Sequence, residues 1–178
     1  RELISELAAK HDLVLSFGAS IGATESIILG STGLGRVDVT ISGHSAGHIS
    51  EAKSRKNALV ELSHQILQTY DISEAIEGIT LNWTVTSAGS SDVGSNQIPE
   101  TATAQGDLRV KTVEAFNLLE QALNEKIQKK LVPETTNSIT VNLNRPPLIP
   151  SAQSLSMAAV AQQIYGELYK SINIVEDH

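Results

Sequence analysis

Two arginines and one asparagine are the side chains whose types and spacing point most clearly to chemistry. Arg109 stands two places after Asp107, Arg145 precedes Pro146, and Asn96 follows Ser95 in a loop before Ile98-Pro99. A guanidinium presents a forked pair of N–H donors that matches a planar carboxylate, and a carboxamide adds a further donor. Brought together, Asn96, Arg109 and Arg145 would form a receptor for a substrate carboxylate. The simpler alternative is a surface ion pair between Asp107 and Arg109, worth little, with Arg145 merely ending a strand.

Other chemistries find less support. His44 and His48 are four apart with Glu51 three further on, but Gly43 and Gly47 make the segment a loop. It also lacks the second-position Glu of the helical zinc-protease motif. Solvated loop histidines are the better reading. His11, His64 and His178 have no identifiable partners. Cysteine is absent, which excludes thiolate metal sites, thiol nucleophiles and disulfides. No G-x-S-x-G elbow follows a strand. The glycines of Gly30-Ser31-Thr32-Gly33-Leu34-Gly35 precede a strand and lack the lysine of a nucleotide loop. Twenty acidic against thirteen basic residues give a formal charge of −7, which argues against a nucleic-acid partner. No stretch approaches the roughly 20 apolar residues of a membrane span, so no membrane partner is expected. The compartment stays open, because a chain without cysteine fits reducing and oxidising spaces alike.

Aromatic residues are only 3% of the chain, so its core must be aliphatic. Leu3, Ile4 and Leu7 have helical spacing, and Asp12–Phe17 (DLVLSF) is an apolar run typical of a buried strand. Ser26–Leu29 suggests a further short strand. Val37, Val39 and Ile41 alternate with Arg36, Asp38, Thr40 and Ser42, a strand buried on one face. Residues 55–70 form an amphipathic helix with Leu59, Leu62, Ile66 and Leu67 on its stripe. Leu81, Trp83 and Val85 mark a second strand. A third runs over 102–110, with Ala104, Gly106 and Leu108 inward and Gln105, Asp107 and Arg109 outward. A helix over 112–130 buries Val113, Phe116, Leu119, Leu123 and Ile127. Ile139, Val141 and Leu143 mark a fourth strand, and a last helix over 154–170 carries Met157, Val160, Ala161, Ile164 and Leu168.

Between Leu34 and Asn144 this order is β-α-β-β-α-β, the split arrangement of ferredoxin-like domains. The expected fold is α+β: an antiparallel sheet with both helices on one face and a wet second face rich in Thr, Asn and charge. Residues 33–146 would form this unit. Residues 1–32 and 147–178 would be remnants of an α/β domain that it interrupts, because the chain opens inside a helix and stops without a closing element.

The segments Leu81-Asn82-Trp83-Thr84-Val85, Ser95–Ala102, Gly106-Asp107-Leu108-Arg109 and Asn144-Arg145-Pro146 resemble the inserted lid domain of bacterial glutamate carboxypeptidases. These belong with the zinc aminoacylases and succinyl-diaminopimelate desuccinylases. Asn57-Ala58 lies at the family's usual distance from Gly43, and Arg1–Ile4 with Val14–Phe17 resemble the segment leading into the lid. The resemblance implies a homodimer joined through the lid. It also implies a two-zinc centre in the other domain that hydrolyses an amide beside a free carboxylate, in a small acyl-amino-acid or peptide substrate. By position it makes Asn96, Arg109 and Arg145 the substrate-carboxylate ligands. His48 stands one place beyond the family's oxyanion-stabilising histidine, since the chain reads Ser45-Ala46-Gly47-His48. Gly18 replaces the usual acidic metal ligand and the other ligand motifs are absent. This chain is therefore expected to hold no metal and to be inactive alone. The alternative from another class is an amino-acid-sensing regulatory module, which shares the β-α-β-β-α-β order but needs no flanking pieces.

Overall fold

In chain order the elements are α1 (Glu2–Ala8), β1 (Ser26–Ile28), β2 (Gly33–Ser42), α2 (Ala58–Leu67), α3 (Ile72–Ala75), β3 (Ile79–Ala88), β4 (Thr101–Val110), α4 (Val113–Lys126), β5 (Thr136–Arg145), α5 (Ala152–Glu167) and β6 (Asn173–Val175). They come from a computed structural model that describes residues 2–12, 14–16, 25–43, 56–89 and 97–176. The four ten-residue strands form one antiparallel sheet in the order β3-β4-β2-β5. Within 33–145 the sequence-read β-α-β-β-α-β order is present, with the short α3 added between α2 and β3.

Alternation along the strands decides which face is covered. Val37, Val39 and Ile41 of β2, and Ala102, Ala104, Leu108 and Val110 of β4, are buried with Leu62 of α2 and with Leu119 and Leu123 of α4. The small residues on central β4 leave room for the layer above. A Cβ added to Gly106 would come within 2.7 Å of Leu81 Cδ1 and 3.3 Å of Trp83 Cε3. Side chains also start the helices. Asn57 Oδ1 accepts from the N–H groups of Leu59 (3.0 Å) and Val60 (3.2 Å), and the hydroxyl of Thr112 accepts from Ala115 N–H at 3.1 Å.

Five expectations need correction. Val113, at the first position of α4, is exposed, and the inward residues of that helix begin with Ala115. Residues 14–16 belong to no strand, and Val14 and Leu15 are exposed. An apolar run becomes a strand only beside a pairing partner, and none is paired with it among the described residues. On α2 the inward residues are Ala58, Glu61, Leu62 and Gln65, while Leu59 and Leu67 face outward. Val85 lies on the open face, because a bulge between Trp83 and Val85 makes Thr84 an extra residue and reverses the alternation beyond it. The apolar stripe of α5 is uncovered: Met157, Val160, Ile164 and Leu168 are exposed, and only Ala158 is buried.

The segments before β2 and after β5 meet in a second, parallel sheet of β1 with β6. The two connections to the large sheet are also bonded to each other. Ser31 N–H donates to Leu148 O at 3.0 Å, and Leu148 N–H donates back to Ser31 O at 2.9 Å.

Candidate functional site

The open face of the large sheet is laid out by its register. One row reads Thr80, Arg109, Leu34, Arg145 across β3, β4, β2 and β5. The next reads Asn82, Asp107, Arg36, Asn142, and the third Val85, Gln105, Asp38, Thr140. Below these lie Thr and Ser. The face is polar, as its sequence predicts, and its charges are concentrated in the first three rows.

Arg109 and Arg145 therefore flank one residue, Leu34, from the two strands beside it. Arg145 reaches that position through a second bulge. Gly35 pairs with Leu143 and Leu34 with Arg145, so Asn144 is the extra residue. Two strand spacings, about 10 Å of backbone, separate the arginines. Arg109 Nε donates to Asp107 Oδ2 at 3.0 Å, and both side chains are nearly half exposed. The ion pair of the simpler reading is thus present, yet it occupies only Nε. Arg145 Nη2 donates to Thr32 O at 3.1 Å. Asn96 and His48, together with His44, Glu51 and Gly18, lie outside the described residues.

Another polar centre was not visible in the sequence. Glu61 is fully buried between α2 and the connection from α4 to β5. Its carboxylate accepts from Leu131 N–H (2.9 Å), Val132 N–H (2.7 Å), Asn137 Nδ2 (2.7 Å) and Gln65 Nε2 (2.7 Å). Burial alone would raise its pKa; the donated hydrogen bonds outweigh that and hold it below the ordinary glutamate value. His64, which lacked a sequence partner, places Nε2 3.1 Å from Lys129 O in the same region. A lone Glu within an amphipathic pattern gives no signal of this kind, because three of its four donors, from Leu131, Val132 and Asn137, come from 70 to 76 residues away. The arrangement braces the fold and is enclosed, so it offers a ligand no access.

A shallow cleft of about 220 Å3 lies where the two connections pass the end of β4, lined by Ser31, Thr32, Lys111, Thr112 and Leu148 among others. Neither Arg109 nor Arg145 lines it, and its walls carry no convergent set of reactive groups. Among the described residues, no group of three or more His, Cys, Asp or Glu could hold a metal ion. No helix among them is long and apolar enough to cross a membrane.

Comparison with known proteins agrees with this layout. Residues 29–135 match the family described as the peptidase dimerisation domain. Carboxypeptidase G2 of Pseudomonas sp. (strain RS-16) is 35% identical over 146 residues, which cover 82% of this chain and 34% of that enzyme. The chain thus spans about a third of the length of this curated relative. Among solved structures, an aminopeptidase from Bacillus cereus superposes with a TM-score of 0.68 at 14% identity, covering 88% of this chain and 41% of its own. A Bacillus subtilis protein described as a dinuclear metal-binding peptidase of the M20 family superposes with a TM-score of 0.59 at 13% identity, covering 88% and 37%. At these identities the superpositions speak for the fold alone. The sequence match covers well over half of the chain, including β2, α2, β3, β4 and α4, and the chain belongs to the peptidase dimerisation domain family of M20 peptidases.

Proposed function

We propose that this chain is the lid and dimerisation portion of a zinc-dependent hydrolase that cleaves an amide bond beside a free carboxylate. Residues 33–146 would be the lid, and 1–32 with 147–178 would be pieces of the catalytic domain. The observation that carries the reading is the placement of Arg109 and Arg145 on either side of Leu34, on the polar face of a domain whose family serves peptidases. There, two forked donors can hold and orient a carboxylate while the scissile amide projects away from the sheet. Asn96 would be the third ligand and His48 the candidate donor to the developing oxyanion. The metal ions would polarise the amide carbonyl and activate water. The described residues do not fit a metal centre, so its ligands would lie outside them. A second copy of the chain would dock through the lid, where β3 and β5 are the edge strands of the sheet.

Titrating the chain with N-acetylglutamate, while recording the Arg Nε–Hε NMR signals, tests the receptor. Saturable shifts of Arg109 and Arg145 are expected, with affinity lowered roughly tenfold or more in R109Q and in R145Q, the weight of a charge-assisted hydrogen bond. Binding unchanged in both variants would sink this reading. Sedimentation velocity should show a dimer at high concentration; a monomer throughout would sink the docking role.

A further inference from the structure

The enclosed carboxylate of Glu61 is bonded to a segment that has no regular structure of its own. Residues 127–135 join α4 to β5 and belong to no helix or strand. A strand is held by a ladder of backbone pairs; this segment is held to α2 by side chains. Glu61, His64, Gln65 and the C-cap Gln68 stand at i, i+3, i+4 and i+7, on one side of that helix. His64, Gln65 and Gln68 approach Lys129 O at 3.1, 3.2 and 3.4 Å. Glu61 Oε2 takes the segment's N–H groups of Leu131 and Val132. After Ile127, the segment buries one apolar side chain, Val132; Leu131 is exposed. Opening it would therefore give up little apolar contact, while the core beneath α2 and α4 stays covered.

Protonation acts on this arrangement through Glu61. A carboxylate offers about four acceptor sites on its two oxygens. Leu131 and Val132 use those of Oε2, and Gln65 and Asn137 those of Oε1. A proton on either oxygen takes a site already in use, so one N–H must lose its acceptor. The surrounding groups do not compensate. Lys126 Nζ donates to Gln68 O and Lys130 Nζ to Thr135 O, Lys129 and Glu134 are exposed, and β5 brings the neutral Asn137. The sheet face below is aliphatic, and no ion pair reaches Glu61 among the described residues. Lys129 O can only accept, so His64 donates to it in either charge state.

We infer that residues 128–135 are an acid-released clasp: with Glu61 ionised they are bound to α2, and a proton on that carboxylate frees them while the four-stranded sheet stays formed. The clasp lies on the covered side of the sheet and does not depend on the receptor reading. It is closed at neutral pH and opens as pH falls through the folded-state value of Glu61, which lies below that of a free glutamate. Opening bares Val132 and Thr135 and leaves the start of edge strand β5 held by its pairing with β2.

Amide hydrogen exchange of the whole chain, read by NMR and referred to free-peptide rates at each pH, tests this. In wild type at neutral pH the Leu131 and Val132 amides should exchange about tenfold or more faster than those of β2 and β4, and with little dependence on urea, because their opening exposes little surface. In E61Q at neutral pH, and in wild type below about pH 4, the two amides should approach the free-peptide rate while β2 and β4 stay protected. Val39→Ala thins the core away from the clasp. It should speed exchange in the sheet and leave the two clasp amides unchanged, since closed and opened clasp share that core. Leu131 and Val132 exchanging in step with the sheet, with the same urea dependence in wild type and the same acceleration in Val39→Ala, would overturn the inference. So would loss of protection throughout the sheet in E61Q.

Discussion

Glu61 shows how one buried ion can be retained without a cationic partner. Its two oxygens receive two backbone and two side-chain N–H donors, which replace the water lost on burial. Glu61→Ala would leave the N–H groups of Leu131 and Val132 unpaired in the interior and is expected to cost about 3–5 kcal/mol in urea unfolding. Glu61→Gln keeps the volume but turns an amide toward a donor, and should cost about 1–3 kcal/mol. The pH dependence has a definite sign. The folded-state pKa lies below the unfolded value, so the unfolded chain takes up the proton more readily. Stabilisation from this group is complete above the unfolded value, about pH 4.3, and is lost as pH falls through the lower, folded value. The difference in unfolding free energy between wild type and Glu61→Gln should therefore shrink on acidification below about pH 4.3. A difference constant down to pH 2 would show that the fold does not lower the pKa of this carboxylate.

Elements were legible in proportion to the regularity of their patterns. Strict alternation over 37–41 and 102–110 predicted both central strands and their inward residues, because a half-buried strand must place every second side chain in the core. The helix over 113–126 was equally clear, with its cap at Thr112 and with Leu119 and Leu123 inside. Its sharpest check is a neighbouring pair. Leu119 is fully buried and Leu118 is 57% exposed. Leu119→Ala should cost about 2–5 kcal/mol and Leu118→Ala within about 0.5 kcal/mol, both measured by urea unfolding. Similar losses for the two would misplace the helix on its axis. Pattern misled where one residue is inserted or where a polar group is buried. The bulge at Thr84 turns Val85 outward, and on α2 Glu61 and Gln65 take the inward positions that Leu59 and Leu67 would claim by hydropathy.

At the scale of the whole molecule, the two chain segments outside the large sheet are held together through β1 and β6 and the reciprocal Ser31–Leu148 bonds. Gly30 lies between them, and any Cβ there would collide with the Glu176 carbonyl oxygen. Gly30→Val should therefore speed hydrogen exchange at the Leu29 and Asn173 amides, which donate to Val175 O and Glu25 O. The amides of β2 and β4 should exchange as in wild type. Faster exchange throughout the large sheet would mean that the two units are not separable. The exposed apolar residues of α5 (Met157, Val160, Ile164 and Leu168) fit the proposal that this helix belongs to the catalytic domain, whose other parts would cover them.

By itself, the order of residues determined the β-α-β-β-α-β arrangement, the polar second face and the arginines worth watching, because periodicity and residue chemistry are local properties of the chain. Only the tertiary structure decided that Arg36 shares a corner with Arg109 and Arg145, that Asn144 is the extra residue which sets Arg145 opposite Leu34, and that Glu61 lies inside. Those facts depend on cross-strand register and on partners as far as 111 residues apart (Leu34 to Arg145). No local pattern encodes register, since a shift of one residue exchanges the faces of a strand without altering its sequence.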